Sequence, residues 1–500
     1  MTLAGIFSDN AVLQRDKPIP IWGSAAPWKS IRVSLGSCHA LCEADADGNW
    51  KITFPAMPAA LGLTLTTSDG EHTLIRRDIA IGDVWLAGGQ SNMEFPLKYD
   101  CEREQAYAGS PAPGLRYYCC PKLSYPGQEL DEDHSHEGIW RQALQEELPY
   151  FSAIGFYFAR ALRESLGDVP VGIIDCTWGG TSASSWMTDD YLDGALSVYV
   201  QLREETRKLD LQREFTSYKE SQAKRNTPEA KAWMNTMMAT PLTQPLRFTP
   251  PQEEIERFLR TKYSPFSPFR AGGLYHMMLK PLIPCGLTGF IWYQGEEDTN
   301  HAELYTELFS NMIRCWRESW QERLPFIFAQ LTAFEDPRGW NPLDFVPIRR
   351  AQELVARQMP DTYMVCTMDV GSRYDIHPKR KRPIGERMAA QALCHIYGHE
   401  GLSEAPAVRA AYKEPGRLVI QLSHCGEGLK PQTGIPAAEM FVNGRKVDFL
   451  ASASGDTLIF LVPEIVCDSR VELRYAMQGY CDVDLFNSAG HPALPFRVEL

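Results

Sequence analysis

An apolar run that ends in two glycines and then a serine, Val84-Trp85-Leu86-Ala87-Gly88-Gly89-Gln90-Ser91-Asn92-Met93-Glu94, is the clearest chemical signal in the chain. Such a turn sets a hydroxyl at the mouth of a sheet, beside main-chain N–H groups of a helix start. That suits a nucleophile whose transition state develops an oxyanion. Alone, a Gly-x-Ser turn most often only caps a helix. Three more blocks change the weight. Cys176-Thr177-Trp178-Gly179-Gly180-Thr181-Ser182 carries adjacent glycines that let main-chain N–H groups approach a ligand closely. Trp292-Tyr293-Gln294-Gly295-Glu296-Glu297-Asp298 offers a side-chain amide able to donate to an oxyanion. Asp375-Ile376-His377-Pro378 offers the usual base for a serine, with a carboxylate beside it to fix the tautomer.

These blocks need a scaffold, and the pattern around them supplies one. Strands are predicted over 84–87, 171–175, 289–293, 326–331 and 363–368. Each block follows such a strand, where ligand sites in open α/β sheets lie. Helices are predicted over 151–165, with Ile154, Phe158, Ala161 and Leu162 on one face, over 303–320, with Leu304, Phe309, Met312, Ile313 and Trp316, and over 385–397. Alternating strands and helices predict a parallel sheet in an α/β domain. Residues 1–80 read instead as short strands separated by turns such as Ala46-Asp47-Gly48-Asn49, the pattern of a small β-sandwich. After about 405 the strands return, at 417–422, 439–442, 457–461 and 471–475. The expected division is therefore 1–80, 81–404 and 405–500. Residues 190–270 break the alternation with charged helical sequence and prolines at 250, 251 and 265, and both a cleft wall or lid and a decorative insertion fit that stretch.

Composition narrows the classes further. At 500 residues the chain exceeds one core, and 44% hydrophobic with 23% charged residues is ordinary for a soluble globular protein. A formal charge of −13 argues against nucleic acid or an anionic membrane as partner. No stretch approaches the roughly 20 apolar residues of a membrane span. The first residues lack the basic and apolar regions of a signal peptide. Thirteen scattered cysteines predict free thiols in a reducing compartment, so a cytoplasmic location is expected. The close pairs Cys38/Cys42 and Cys119/Cys120 have no partners at zinc spacing, and no metal site is expected. The sequence is silent on oligomeric state.

In that order on successive strands, the four blocks resemble those of the SGNH hydrolases, and within them the sialate O-acetylesterase family and related carbohydrate acetylesterases. The likeness runs along nearly the whole chain. It includes Phe7-Ser8-Asp9-Asn10-Ala11-Val12-Leu13-Gln14-Arg15, Ile21-Trp22-Gly23, Gly82-Asp83-Val84-Trp85, Phe151-Ser152-Ala153, Leu485-Phe486-Asn487-Ser488 and Pro495-Phe496-Arg497. The resemblance implies an SGNH-hydrolase-like three-layer domain with a parallel sheet, flanked by N- and C-terminal β-sandwich-like regions. It implies Ser91 as nucleophile and His377 as general base and then acid, with Asp375 the candidate to orient the imidazole. It also implies an oxyanion hole from the N–H groups of Ser91 and Gly180 and the side chain of Gln294. Gln90, Asn92, Trp178, Glu296 and Arg387 become substrate-binding candidates.

This chain departs from the family pattern at two places. The usual block spaces Asp three residues before His, whereas Asp375 stands two before, with Tyr374 in the third place, so a main-chain carbonyl is the alternative orienting group. Glu297 stands where a small residue is expected. The implied activity is a serine esterase that removes O-acetyl groups from sialic acid, a small-molecule sugar, with no cofactor. Acetylxylan or another plant polysaccharide is the alternative substrate. A sialate carboxylate calls for an arginine, and Arg349, Arg350 and Arg387 are the candidates. A non-catalytic carbohydrate-binding protein is a remote alternative, and Gly88-Gly89-Gln90-Ser91 lacks the lysine of a phosphate-binding loop.

Overall fold

The computed structural model describes residues 1–110, 112–128, 137–244, 256, 258, 261–336, 343–431 and 434–500. Its spine is one strand, Thr73–Gly89, 17 residues long. The first residues alternate between exposed and half-buried, as in a strand with one wet face, and pair antiparallel with Ala60–Ser68. From Ile79 onward every residue is buried, as a strand covered on both faces requires. The expected boundary at 80 therefore falls inside a single strand, and the N-terminal strands share one continuous core with the central sheet. In those N-terminal strands, Ser30–Leu35 and Asn49–Phe54 bury every second residue, so one face of each meets that core.

The buried half of Thr73–Gly89 lies between Val171–Thr177 and Gly289–Tyr293, parallel to both. Ala112–Cys119 extends the sheet beyond the first, while Phe326–Ala329 and Thr362–Val365 extend it beyond the second, all in parallel. Trp140–Ala143 closes one edge antiparallel, so the sheet is mixed. Helices cover both faces. Trp85 meets Phe158 of helix Ala153–Leu166 with ring centroids 4.9 Å apart. Gly88 is an odd number of residues away and so faces the other side, where an added Cβ would lie 2.6 Å from Trp316 of helix Tyr305–Trp320. Helix Arg382–His395 packs on Ala153–Leu166, and Gly385 permits it: a Cβ there would sit 2.7 Å from the Ile154 carbonyl. Phe345–Gln358 packs on Tyr305–Trp320.

Residues 190–244 contain three α-helices, Ser197–Thr206, Leu211–Arg225 and Pro228–Ala239, the last two capped by Asp210 and Thr227. The expected prolines at 250 and 251 lie outside the described residues. The chain beyond them turns an aromatic edge inward. The Phe266 ring meets Phe215 at 5.2 Å and Tyr218 at 5.0 Å, and Phe269 lies against Gly180. After residue 405, two four-stranded antiparallel sheets enclose a second core around Leu418, Ile420, Met440, Phe460 and Leu473. Arg349 ties this unit to the central domain by donating to the carbonyls of Gln478 and Gly479 at 2.7 and 3.1 Å. All thirteen thiols are unpaired. Among the described residues no helix is long and apolar enough to cross a membrane.

Candidate active site

Ser91 opens a one-turn helix, Ser91–Glu94, at the carboxyl end of the central strand. The turn depends on Gly89, whose φ of 128° is open only to glycine and where an added Cβ would lie 2.2 Å from the Tyr293 carbonyl. As the first residue of its helix, Ser91 has no carbonyl within that helix to receive its N–H. The last strand, Thr362–Val365, leads to the loop that carries His377. There His377 Nε2 lies 2.8 Å from Ser91 Oγ, across a separation of 286 positions. Nε2 accepts the hydroxyl proton when Nδ1 carries the ring hydrogen.

Asp375 reaches the site but not the imidazole. Its Oδ1 accepts from the His377 main-chain N–H at 3.0 Å, closing a local turn, and its Oδ2 faces Lys379 Nζ at 3.0 Å. Oδ2 also accepts, at 3.4 Å, from the N–H of Leu242 in the inserted segment. Among the described residues no carboxylate meets His377 Nδ1. Asp375 therefore does not take the ring-orienting place, because an aspartate two residues upstream of the histidine satisfies that residue's backbone first. Burial pushes the His377 pKa down to about 3, with the charges of Lys381 and Lys379 adding to the shift. The imidazole is thus neutral, the form a general base requires, well below the ordinary histidine range. The acid limb of a kcat/KM–pH profile is expected below pH 6.5, the unperturbed histidine value, because the base is lost only as pH falls through the lowered pKa. A limb centred at or above 6.5 would contradict this.

Beneath the pair lies a polar network. Asn92 Nδ2 donates to Glu296 Oε1 at 2.6 Å and to the Ile376 carbonyl at 3.0 Å, while Asn92 Oδ1 accepts from Lys381 Nζ at 2.5 Å. The Lys381 main-chain N–H donates to Asp100 Oδ2 at 2.8 Å. Asn92 and Glu296 are 1% and 3% exposed, so neither faces a substrate; they lash the histidine loop to the nucleophile turn. Burial pulls Lys381 down to about 7 and holds Glu296 above the ordinary carboxylate range.

Gln294 also departs from expectation. Its Nε2 donates to the Thr181 carbonyl at 3.1 Å and to Asp298 Oδ2 at 2.6 Å, which uses both amide hydrogens, and Oε1 accepts from the Tyr305 hydroxyl. A donor already engaged twice is not available to an oxyanion. Asp298 accepts from Ser182 and from the Ala183 N–H as well, so Gln294 and Asp298 brace the two glycine-bearing loops against each other. Gly179 donates to Glu94 Oε2 at 2.7 Å and packs on Ser91, an added Cβ lying 3.3 Å from Ser91 Cβ. The N–H groups of Ser91 and Gly180 donate to nothing among the described residues, and Gly180 turns through φ of 74° beneath Phe269. Gln90 accepts from the Glu297 N–H through Oε1 at 3.4 Å, which leaves its amide hydrogens unspent among the described residues.

Trp178 is half-buried, with Lys122 Nζ 5.7 Å from its ring and ion-paired to Glu94. Arg387 is not at the site: it grips Asp369 with two bonds of 2.7 and 2.8 Å and donates to the Cys366 and Gly490 carbonyls. Arg349 is spent on the interdomain contact, and Arg350 is exposed on the rim of a cavity between helix Phe345–Gln358 and the C-terminal sheets. Sequence reasoning missed Glu94, Lys122, Lys381 and Phe269. Glu94, three residues after Ser91 and on the same side of a helical turn, was the one with a readable signal. Among the described residues no group of three or more His, Cys, Asp or Glu side chains is arranged for a metal ion.

Residues 262–394 match the family described as carbohydrate esterase, sialic acid-specific acetylesterase. The sialate O-acetylesterase of Mus musculus is 24% identical over 434 residues, covering 79% of this chain and 74% of that protein. That of Homo sapiens is 24% identical over 442 residues, covering 80% and 72%. Among solved structures, a carbohydrate acetylesterase from Xanthomonas citri is similar over 99% of both chains, with 29% identity and a TM-score of 0.77.

Proposed function

We propose that this chain, a carboxylic ester hydrolase similar to the sialate O-acetylesterases and to a carbohydrate acetylesterase, deacetylates sugars through an acetyl-enzyme on Ser91. The contact of 2.8 Å between Ser91 Oγ and His377 Nε2 carries the proposal. His377 takes the hydroxyl proton as Ser91 attacks the acetyl carbonyl. The oxyanion falls to the N–H groups of Ser91 and Gly180, with Gln90 Nε2 in the place first given to Gln294. The imidazolium then protonates the departing sugar oxygen, and water activated by the same imidazole releases acetate. An SGNH-type fold is part of the same proposal. Thirteen unpaired thiols suit a reducing compartment such as the cytoplasm. With 4-nitrophenyl acetate the protein should release an initial burst of one nitrophenolate per chain and then turn over; a carbohydrate-binding protein without catalysis would do neither.

Gln90 provides a sharper test. Because one oxyanion donor is typically worth about 10²–10³ in rate, Gln90→Ala should lower kcat by that order while KM changes little. An unchanged kcat would return the role to main-chain donors alone.

O-acetylated sialic acid, the substrate in the relatives' names, is the first candidate. The charges favour the second reading, a sugar without a carboxylate such as acetylated xylan. Among the described residues, Lys122, Lys262 and Lys379 are paired with Glu94, Glu297 and Asp375, and the fully buried Lys381 donates to Asn92. Arg349 and Arg387 are engaged elsewhere. Acetate release from 9-O-acetylated sialic acid and from acetylated xylooligosaccharides, compared as kcat/KM, separates the two.

A further inference from the structure

A cavity of about 380 Å³ whose lining includes neither Ser91 nor His377 is bordered by Arg203, Arg207, Arg270, Asp189, His276 and the Gly272 turn. The turn is fixed from the central domain, since the Gly272 N–H donates to the Ser184 carbonyl at 3.0 Å. Three guanidinium groups meet here, and they are unequally matched. Arg203 binds Asp189 through two bonds of 2.9 and 2.7 Å and also donates to Glu204. Arg207 pairs with Glu204 at 2.9 Å. Arg270 is half-buried, donates to the Ser267 carbonyl at 2.6 Å, and has no carboxylate partner among the described residues.

Among the described residues the cluster therefore holds three guanidinium groups against two carboxylates, Asp189 and Glu204. Burial first, and then the neighbouring charges of Arg203 and Arg207, pull Arg270 down to about 10. Burial and the charge of Lys280 likewise hold His276 below its ordinary value, so the histidine adds no compensating group. A guanidinium partly withdrawn from water beside two others is unfavourable unless an anion enters the space between them. Planar guanidinium forks match paired oxygens of phosphate or carboxylate.

We propose that this pocket is a second ligand site, distinct from the esterase centre, which takes the oxyanion of a phosphorylated or acidic sugar between Arg270, Arg203 and Arg207. The site is independent of the acetyl-enzyme reading. Isothermal titration of the full chain with inorganic phosphate and, separately, with glucuronate tests it. At least one should bind in the millimolar range, corresponding to about −4 kcal/mol. Phosphate alone would identify phosphorylated ligands, and glucuronate alone acidic sugars. Arg270→Gln should weaken binding at least about tenfold, and Ser91→Ala should leave it unchanged. Arg207 is exposed, so Arg207→Ala keeps the test valid if the Arg270 variant fails to fold, and about threefold weakening is expected. No binding of either anion up to tens of millimolar, or binding by both arginine variants equal to the parent, overturns the proposal.

Discussion

His377→Ala should lower kcat for acetyl ester hydrolysis by about four to six orders of magnitude, Ser91→Ala should do the same, and the double variant should be no worse than either. The reason is that Ser91 Oγ and His377 Nε2, at 2.8 Å, act as one unit: without the imidazole the hydroxyl keeps its proton, and without the hydroxyl the imidazole has nothing to activate. What survives either change is binding and the oxyanion donors. Asp375→Asn should behave differently. Its carboxylate serves the His377 backbone and Lys379 rather than the ring, so a loss of about tenfold is expected, against about 10⁴ where a carboxylate fixes the imidazole tautomer. Steady-state kinetics with 4-nitrophenyl acetate on the purified variants decides this. Equal losses for Asp375→Asn and His377→Ala would show that the aspartate reaches the ring during turnover.

Gly89→Ala should be nearly as damaging, through the backbone. Gly89 pairs with Tyr293 on one side and Thr177 on the other, and a methyl group there would press to 2.2 Å from the Tyr293 carbonyl while holding φ at 128°. Neither neighbour can move without opening the central sheet. A cost of about 3 kcal/mol or more is expected from steric overlap and the unfavourable φ. The relief available is a shift of the turn that carries Ser91, so activity should fall beyond what lost stability explains. Denaturant unfolding together with kcat of the folded fraction measures both. A variant with parental stability and kcat would show that the turn is not held as described.

The parts of the fold that were legible in sequence were those decided by local pattern. Strands 289–293, 457–461 and 471–475 coincide with Gly289–Tyr293, Thr457–Leu461 and Val471–Tyr475, each a short apolar or alternating run bounded by turns. Helix Ala153–Leu166 starts where Ser152 caps it, its hydroxyl accepting from the Gly155 N–H. Helix Phe345–Gln358 escaped because Val346-Pro347-Ile348 reads against a helix, although a proline in the first turn removes no internal hydrogen bond. Strand Ala112–Cys119 opens on Ala112-Pro113-Gly114, which reads as a turn. At the site, Ser91 and His377 were legible because each sits in a block at a strand end. The network of Asn92, Lys381 and Glu296 was not, because only tertiary packing buries the lysine of a Lys379-Arg380-Lys381-Arg382 run. Gln294 was misassigned for a related reason: residue type shows that an amide can donate, not that Thr181 and Asp298 already hold both hydrogens.

The most direct measurement is intact-protein and peptide mass spectrometry after phenylmethylsulfonyl fluoride, with esterase activity followed in the same samples. A single sulfonyl adduct per chain, mapped to Ser91 and formed in step with loss of activity, is the expected result, and the His377→Ala variant should label far more slowly. An adduct on another residue, or full hydrolysis by protein labelled at Ser91, would contradict the assignment of the nucleophile.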